Sequence, residues 1–336
     1  MKPSNNRVLH QTGFTLVELM VGLTIGMLAT VVIMQVFSVF EAQKRTTTGT
    51  ADAQTNGGIA LYNIGRELQV AGYPLMPTAN SPLECTTLNV NGAADATVPN
   101  RLTPVAITDG ASDTLTLRYG DSLMGGVFTQ ITAAGPTVSN NFGCQAGDTA
   151  IAVSTDGLTC DMTGVLTAPS ATPTIITLAN ATTGVQLACL GIWNEITYAV
   201  NNGNLQRNGQ DSVAGIVNLQ AQYGVSATAN SNQVTAWVDA TGGIWAAPTV
   251  ANRNRIKAIR IAVVARNPKM EPGNVTAACS STTAAAPTGL CAWAGSVASP
   301  APAIDLSADA NWQRYRYRVF ETIIPLRNVI WSRDTL

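Results

Sequence analysis

The sequence holds one histidine, His10, which sits in its first thirteen residues. Past that point no Ser-His-Asp or Cys-His site can be built, and the commonest transition-metal ligand is missing. Charge is also scarce. Asp, Glu, Lys and Arg make up 12% of the 336 residues, so Thr, Asn, Ser, Gln, Ala and Gly must cover most of the surface. That composition suits an extracytoplasmic β-rich protein better than a cytosolic helical enzyme. There is no P-loop, no HExxH and no DxDxDG calcium loop. The six cysteines include no CxxC pair, which removes zinc-ribbon and thioredoxin-like readings. Carboxylates do stand beside glycines in "DGASD" (Asp109–Asp113) and "STDG" (Ser154–Gly157), a pattern that belongs to turns more than to metal sites. Neither catalysis, cofactor nor metal is expected.

What the chain does have is a long apolar run close to its start. The leader "MKPSNNRVLHQTG" carries Lys2 and Arg7 and no acid. From Phe14 to Phe40 the only formal charge is Glu18, and there is no proline. Spanning a bilayer takes about 20 apolar residues, which this run exceeds. The basic leader predicts a cytoplasmic N-terminus with the C-terminal bulk outside. The end of the run, "IMQVFSVFEAQKR", offers no A-x-A site, so an ordinary cleaved secretory signal is not indicated. A simple signal anchor leaves Glu18 without a purpose, although a carboxylate in mid-membrane costs ~2.5–3.5 kcal/mol and usually has a partner or a job.

Gly13-Phe14-Thr15-Leu16-Val17-Glu18 resembles the processing site of type IV prepilins and type II secretion pseudopilins. The resemblance implies that a leader peptidase cuts after Gly13 and N-methylates Phe14. Glu18 then stands fifth in the mature chain, the position that family reserves for glutamate. Cleavage creates a positive amine on Phe14, and the Glu18 of a neighbouring subunit is the group to pair with it. In an apolar filament core such pairing compensates both charges and sets the register between subunits. Gly22 and Gly26 form a GxxxG, a spacing that allows close helix approach and is also common in membrane helices generally.

After Phe40 the chain turns polar, and the helix is expected to continue, weakened near Gly49 and at Gly57-Gly58. Leu61, Ile64, Leu68 and Ala71 form an apolar stripe suited to packing on a globular domain, and Gly72 and Pro74 should end the helix. Ile64-Gly65-Arg66-Glu67-Leu68 through Ala71-Gly72-Tyr73 is similar to the helix end of PilW-type minor pilins and J-type pseudopilins. Arg66 and Glu67 read as solvated helix charges. Farther on, Asp113–Gly120, Asp148–Thr155, Asn194–Val200, Val217–Val225 and Arg255–Arg266 alternate as strands do, the last with the apolar content of a buried one. The Thr/Ala/Pro-rich tracts "MTGVLTAPSATPT" and "CSSTTAAAPTGLC" read as long loops. "GIVNLQAQYGV", "IKAIRIAVVARNP" and the closing "WQRYRYRVFETIIPLRNVIW" are similar to PilW-type segments, while residues 75–210 match weakly.

Charge is unevenly spread. Up to residue 250 there are 8 Lys/Arg against 15 Asp/Glu, and from 251 onward 11 against 5. The C-terminal excess is compatible with a partner-binding surface or with ordinary pairing inside one fold. Arg314, Arg316 and Arg318 alternate with Tyr315, Tyr317 and Val319, which in a strand places the arginines on one face. Arg253, Arg255 and Lys257 show the same period. Two such rows suit nucleic-acid phosphates or an acidic subunit surface, or else a solvated face paired with acids elsewhere. Among Cys85, Cys144, Cys160, Cys189, Cys279 and Cys291 the connectivity is open, with Cys279–Cys291 favoured because only a short loop separates them.

The expected fold is α+β: a long N-terminal transmembrane and filament-core helix, then a β-rich head. The expected divisions are a cleaved leader (1–13), a membrane or filament-core helix (14–40), its periplasmic continuation (41–74) and a disulfide-bonded head (75–336). The resemblance implies a PilW-type minor pilin that joins other minor pilins and the major pilin. It would be processed by the prepilin peptidase, assembled on an inner-membrane platform, and located first in the inner membrane and then at the pilus tip. A J-type pseudopilin is the nearest alternative. A membrane-anchored periplasmic binding protein or hydrolase is one of another class, and it predicts an uncut N-terminus.

Overall fold

The computed structural model describes residues 13–75, 82–131, 137–140, 143–167 and 175–330. The leader residues 1–12, with Lys2, Arg7 and His10, lie outside the described residues. One helix, α1, runs from Leu16 to Val70. The chain divides into two compact units, one ending at Gly49 and the other beginning at Thr50.

Within the first unit, α1 exposes large apolar side chains on every face, from Leu16 and Val17 to Phe37 and Phe40. Its few hydroxyls are satisfied locally. Thr24 donates to the carbonyls of Met20 and Val21, Thr30 to Met27, and Ser38 to Gln35. Such back-bonding lets a polar side chain sit in an apolar helix with no outside partner. The apolar run stops at Glu41, which pairs with Arg45 one turn on.

The second unit contains three sheets among the described residues. A four-stranded antiparallel sheet runs in the order Val234–Val238, Ile216–Ser226, Ile256–Arg266, Tyr317–Pro325. A five-stranded antiparallel sheet follows the order Gln210–Ala214, Asn204–Arg207, Asn194–Asn201, Thr114–Tyr119, Val105–Thr108. The third, seven-stranded sheet is ordered Ala93–Ala94, Thr87–Val90, Thr159–Thr167, Thr149–Val153, Gln186–Gly191, Thr129–Gln130, and Thr177–Leu178 also pairs with Thr159–Thr167. In it, Thr87–Val90 and Thr159–Thr167 pair in parallel.

The largest core joins α1 to the four- and five-stranded sheets. Ala53, Ala60, Ile64, Leu68 and Ala71 pack in one cluster with Leu115, Leu117, Ile196, Tyr198, Ile259, Ile261 and Val263. These helix positions are spaced by seven, four, four and three residues, so they form one face. The strand Ile256–Arg266 is buried on both sides, because Ala262 packs in a second cluster with Ala292, Trp293 and Ala301. That explains its near-continuous apolar sequence.

The helix expected to continue past Phe40 does so, and two expectations further along are corrected. α1 passes unbroken through Gly49, Gly57 and Gly58. At Gly57 the reason is packing: a Cβ there would overlap the Phe320 ring of the closing strand, so glycine is what lets helix and sheet meet. Of the tract Met162–Thr174, read as a long loop, Met162–Thr167 completes a strand, and 168–174 lie outside the described residues. In that strand the Thr163 hydroxyl accepts from the Asn180 amide, and Asp161, just before the tract, accepts from Asn89, from the Thr183 amide and from the Thr183 hydroxyl. The closing strand begins at Tyr317, because Trp312–Arg314 form a turn of 3-10 helix.

α1 ends as Gly72 and Pro74 predict. Gly72 adopts φ +81°, and its amide donates to the Arg118 carbonyl at 2.8 Å. The Val70 carbonyl accepts from the Tyr73 amide, and the carbonyls of Val70 and Ala71 both accept from the side-chain amide of Asn328, far along the chain.

Candidate functional site

The sequence singles out Phe14 and Glu18, and the structure adds Thr15 to them. The Glu18 carboxylate accepts from the Thr15 amide and from the Thr15 hydroxyl, both at 3.0 Å. In return the Glu18 amide donates to the Thr15 hydroxyl at 3.3 Å. This reciprocal pair is a capping box: Thr and Glu, three residues apart, satisfy amides that the first helical turn leaves open. A carboxylate there also meets the positive end of the helix dipole. Thr15 was legible as Thr-x-x-Glu ahead of an apolar run, and the reading of Glu18 as a filament residue passed over it.

Phe14, Glu18, Leu19, Gly22 and Leu23 border one open depression of about 420 Å³. Phe14, Glu18, Gly22 and Gly26 follow one another at intervals of four, which keeps them along one side of the helix. Gly22 and Gly26 have open space where a Cβ would stand, so nothing in the chain requires glycine at either position.

In the head, Cys279 and Cys291 are bonded, with Cα atoms 4.8 Å apart. Two further bridges, Cys85–Cys160 and Cys144–Cys189, join segments 75 and 45 residues apart, pairings that the sequence left open. The described cysteines are all paired.

The two basic rows do not form a surface. Arg314 lies in the 3-10 turn and donates to the Glu271 carbonyl, and Arg316 pairs with the Glu271 carboxylate at 3.0 Å. Arg318 alone of the three is in the strand, exposed. Arg253 is 4% exposed and spends its guanidinium on the carbonyls of Leu83 and Cys85 and on Asn100 Oδ1. Burial pushes its pKa down to about 10. Arg255 donates to the Ser226 carbonyl and lies over the Trp245 ring, while Lys257, 1% exposed, donates to the Ala229 carbonyl. Arg260 and Arg266 pair with Glu321 and Asp309. The C-terminal excess of cations is therefore largely consumed inside the fold.

Glu67 is likewise not a solvated helix charge. Its Oε1 takes Nε and Nη2 of Arg207, at 3.0 and 2.8 Å. Arg66 is exposed.

A family model for type IV pilus-assembly protein W matches residues 184–328, and one for the prokaryotic N-terminal methylation motif matches residues 9–34. Both matches support a minor pilin of the type IV pilus. The methylation match takes in the Gly13-Phe14 junction, the capping box and both glycines of the GxxxG. The PilW-type match takes in all four strands of the sheet that holds α1, and the Asn328 cap. The fold is accordingly α+β and pilin-like, an apolar N-terminal helix followed by a β-rich domain. Residues 35–183, with most of the seven-stranded sheet, lie outside both matched spans. No curated protein and no solved structure matches the chain.

Proposed function

We propose that this minor pilin is made as a precursor, cut between Gly13 and Phe14 by a prepilin peptidase and N-methylated on Phe14. It then takes part in starting type IV pilus assembly. In this reading residues 14–40 first anchor the chain in the inner membrane, with the head on the periplasmic side. The same segment later packs against other pilins in the filament core. The new amine on Phe14 meets a neighbour's Glu18, and Gly22 and Gly26 let a second helix approach. The partners are other minor pilins, the major pilin and the inner-membrane assembly platform, and the large head suits the pilus tip. The protein works as a structural subunit rather than a catalyst.

One observation carries this reading. An exposed apolar half-helix bears a single carboxylate beside a Gly-Phe junction, in a chain whose head is of PilW type. The capping box supports it further, because Glu18 can enter the membrane with Oε2 already hydrogen-bonded twice and then exchange those bonds for a neighbour's amine.

The test is deletion of residues 14–336 in the native host, with surface pili, twitching and protein secretion measured side by side. Loss of pili and twitching with secretion intact is expected. Loss of secretion with pili intact would assign the protein to a secretion system. Mass spectrometry of the N-terminal peptide should find N-methylated Phe14, and an intact leader would refute the processing step.

A further inference from the structure

The last turns of α1 carry a second stripe, apart from the one that packs on the sheets. Ile59, Tyr62, Asn63, Arg66 and Val70 recur at three- and four-residue intervals along one side of the helix. Ile59, Tyr62 and Val70 are 45%, 67% and 41% exposed, although each is apolar over most of its surface. Beside the stripe, Asn63, Arg66, Glu67 and Val70 line an open cleft of about 480 Å³ with Tyr119, Tyr198 and Arg207 from the five-stranded sheet. Tyr198 and Arg207 are cross-strand partners, so the sheet sets them side by side.

The charges of this cleft are ordered from within. Glu67, with its side chain 18% exposed, grips Arg207 by two nitrogens and holds the guanidinium in one orientation against the wall. Tyr198 is buried behind them. One carboxylate thus offsets one guanidinium, and Arg66, exposed on the rim, is left as the net positive charge. An incoming cation would meet Arg66 first. A wholly apolar occupant would cover the Arg66 guanidinium without bonding it, at a desolvation cost. A carboxylate flanked by apolar side chains satisfies both parts of the site: the acid reaches Arg66, and the apolar flanks cover Ile59, Tyr62 and Val70.

We propose that this stripe and cleft are the docking face for an acidic, otherwise apolar segment of a neighbouring pilin. The inference rests on the reading of the protein as a pilus subunit and assigns one face of the head to that role. Pre-setting Arg207 through Glu67 means that little side-chain freedom is lost there when the neighbour arrives.

A photo-crosslinking phenylalanine analogue at Tyr62 of the full-length chain, expressed in pilus-forming cells, should give adducts with another pilin. Arg66→Glu should reduce both the adduct and surface pili about tenfold, and Arg66→Lys should preserve them. Arg318→Glu, at an exposed arginine away from the cleft, should leave both unchanged. A carboxylate-to-lysine exchange at the partner position mapped by the adduct should restore crosslinking to Arg66→Glu. Adducts that contain no pilin, or wild-type piliation in Arg66→Glu, would overturn the docking face. The parent reading fails separately, if the full deletion still makes pili. If the deletion lacks pili and Arg66→Glu keeps them, only the docking face is lost.

Discussion

The ring of Phe320, on the closing strand, occupies the space that a Cβ at Gly57 of α1 would need. This contact joins the helix to the far end of the chain. Gly57→Ala should therefore push the ring or the helix aside and cost about 1–3 kcal/mol, the usual range for overpacking. Gly58→Ala is the control, because nothing lies within 4 Å of its Cβ position. It should instead raise helix propensity and stabilise by up to about 1 kcal/mol. Thermal unfolding of the detergent-solubilised chain, followed by circular dichroism, would show the two melting points moving in opposite directions.

Arg253 is the most committed cation in the head. Its guanidinium gathers the carbonyls of Leu83 and Cys85 and the side chain of Asn100, all more than 150 residues away in sequence. Arg253→Ala leaves those acceptors buried and unbonded, and should cost roughly 3–5 kcal/mol. Arg253→Lys, able to reach fewer of them, should fall between. Denaturant unfolding midpoints of the three proteins should rank in that order.

Asp113 gives the head a pH dependence of unusual sign. Its carboxylate accepts from the amides of Ala221 and Gly110 and is almost wholly buried. Burial, with Asp109 and Asp239 nearby, raises its pKa from 3.8 to about 7. The folded state then binds the proton more tightly than the unfolded chain does. Its contribution is most favourable below about pH 4, and is lost as pH rises from 4 through about 7. Melting temperature should therefore climb as pH is lowered across that window. Asp113→Asn should flatten this part of the profile, and an unchanged slope would show that Asp113 does not titrate there.

At the N-terminus, Thr15 and Glu18 can be separated by their variants. Glu18→Gln should still insert in the membrane but lower surface piliation by roughly tenfold or more, since a neighbour's amine would be left without its counter-charge. Thr15→Ala removes the capping hydroxyl, worth about 1 kcal/mol, and should have a milder effect, which Thr15→Ser reverses. Pilus counts normalised to membrane-inserted protein would distinguish failed assembly from failed insertion.

Some features are local, and these the sequence by itself determined. The apolar run with one acid, the Gly-Phe junction, the stripe ending at Ala71 and the alternating strands are readable because each depends on residues a few positions apart, repeating at the period of a helix or a strand. The Thr15–Glu18 box belongs to this class too. What the tertiary structure decided is the choice of long-range partners. Arg253, Arg314 and Arg316 look alike in sequence, yet the fold buries the first among carbonyls and sets the other two on Glu271. Glu67 finds Arg207, Asn328 caps α1, and Cys85 selects Cys160, because the packed sheets bring those groups within bonding distance. No spacing along the chain encodes such pairs: each depends on which chain segments the core draws together.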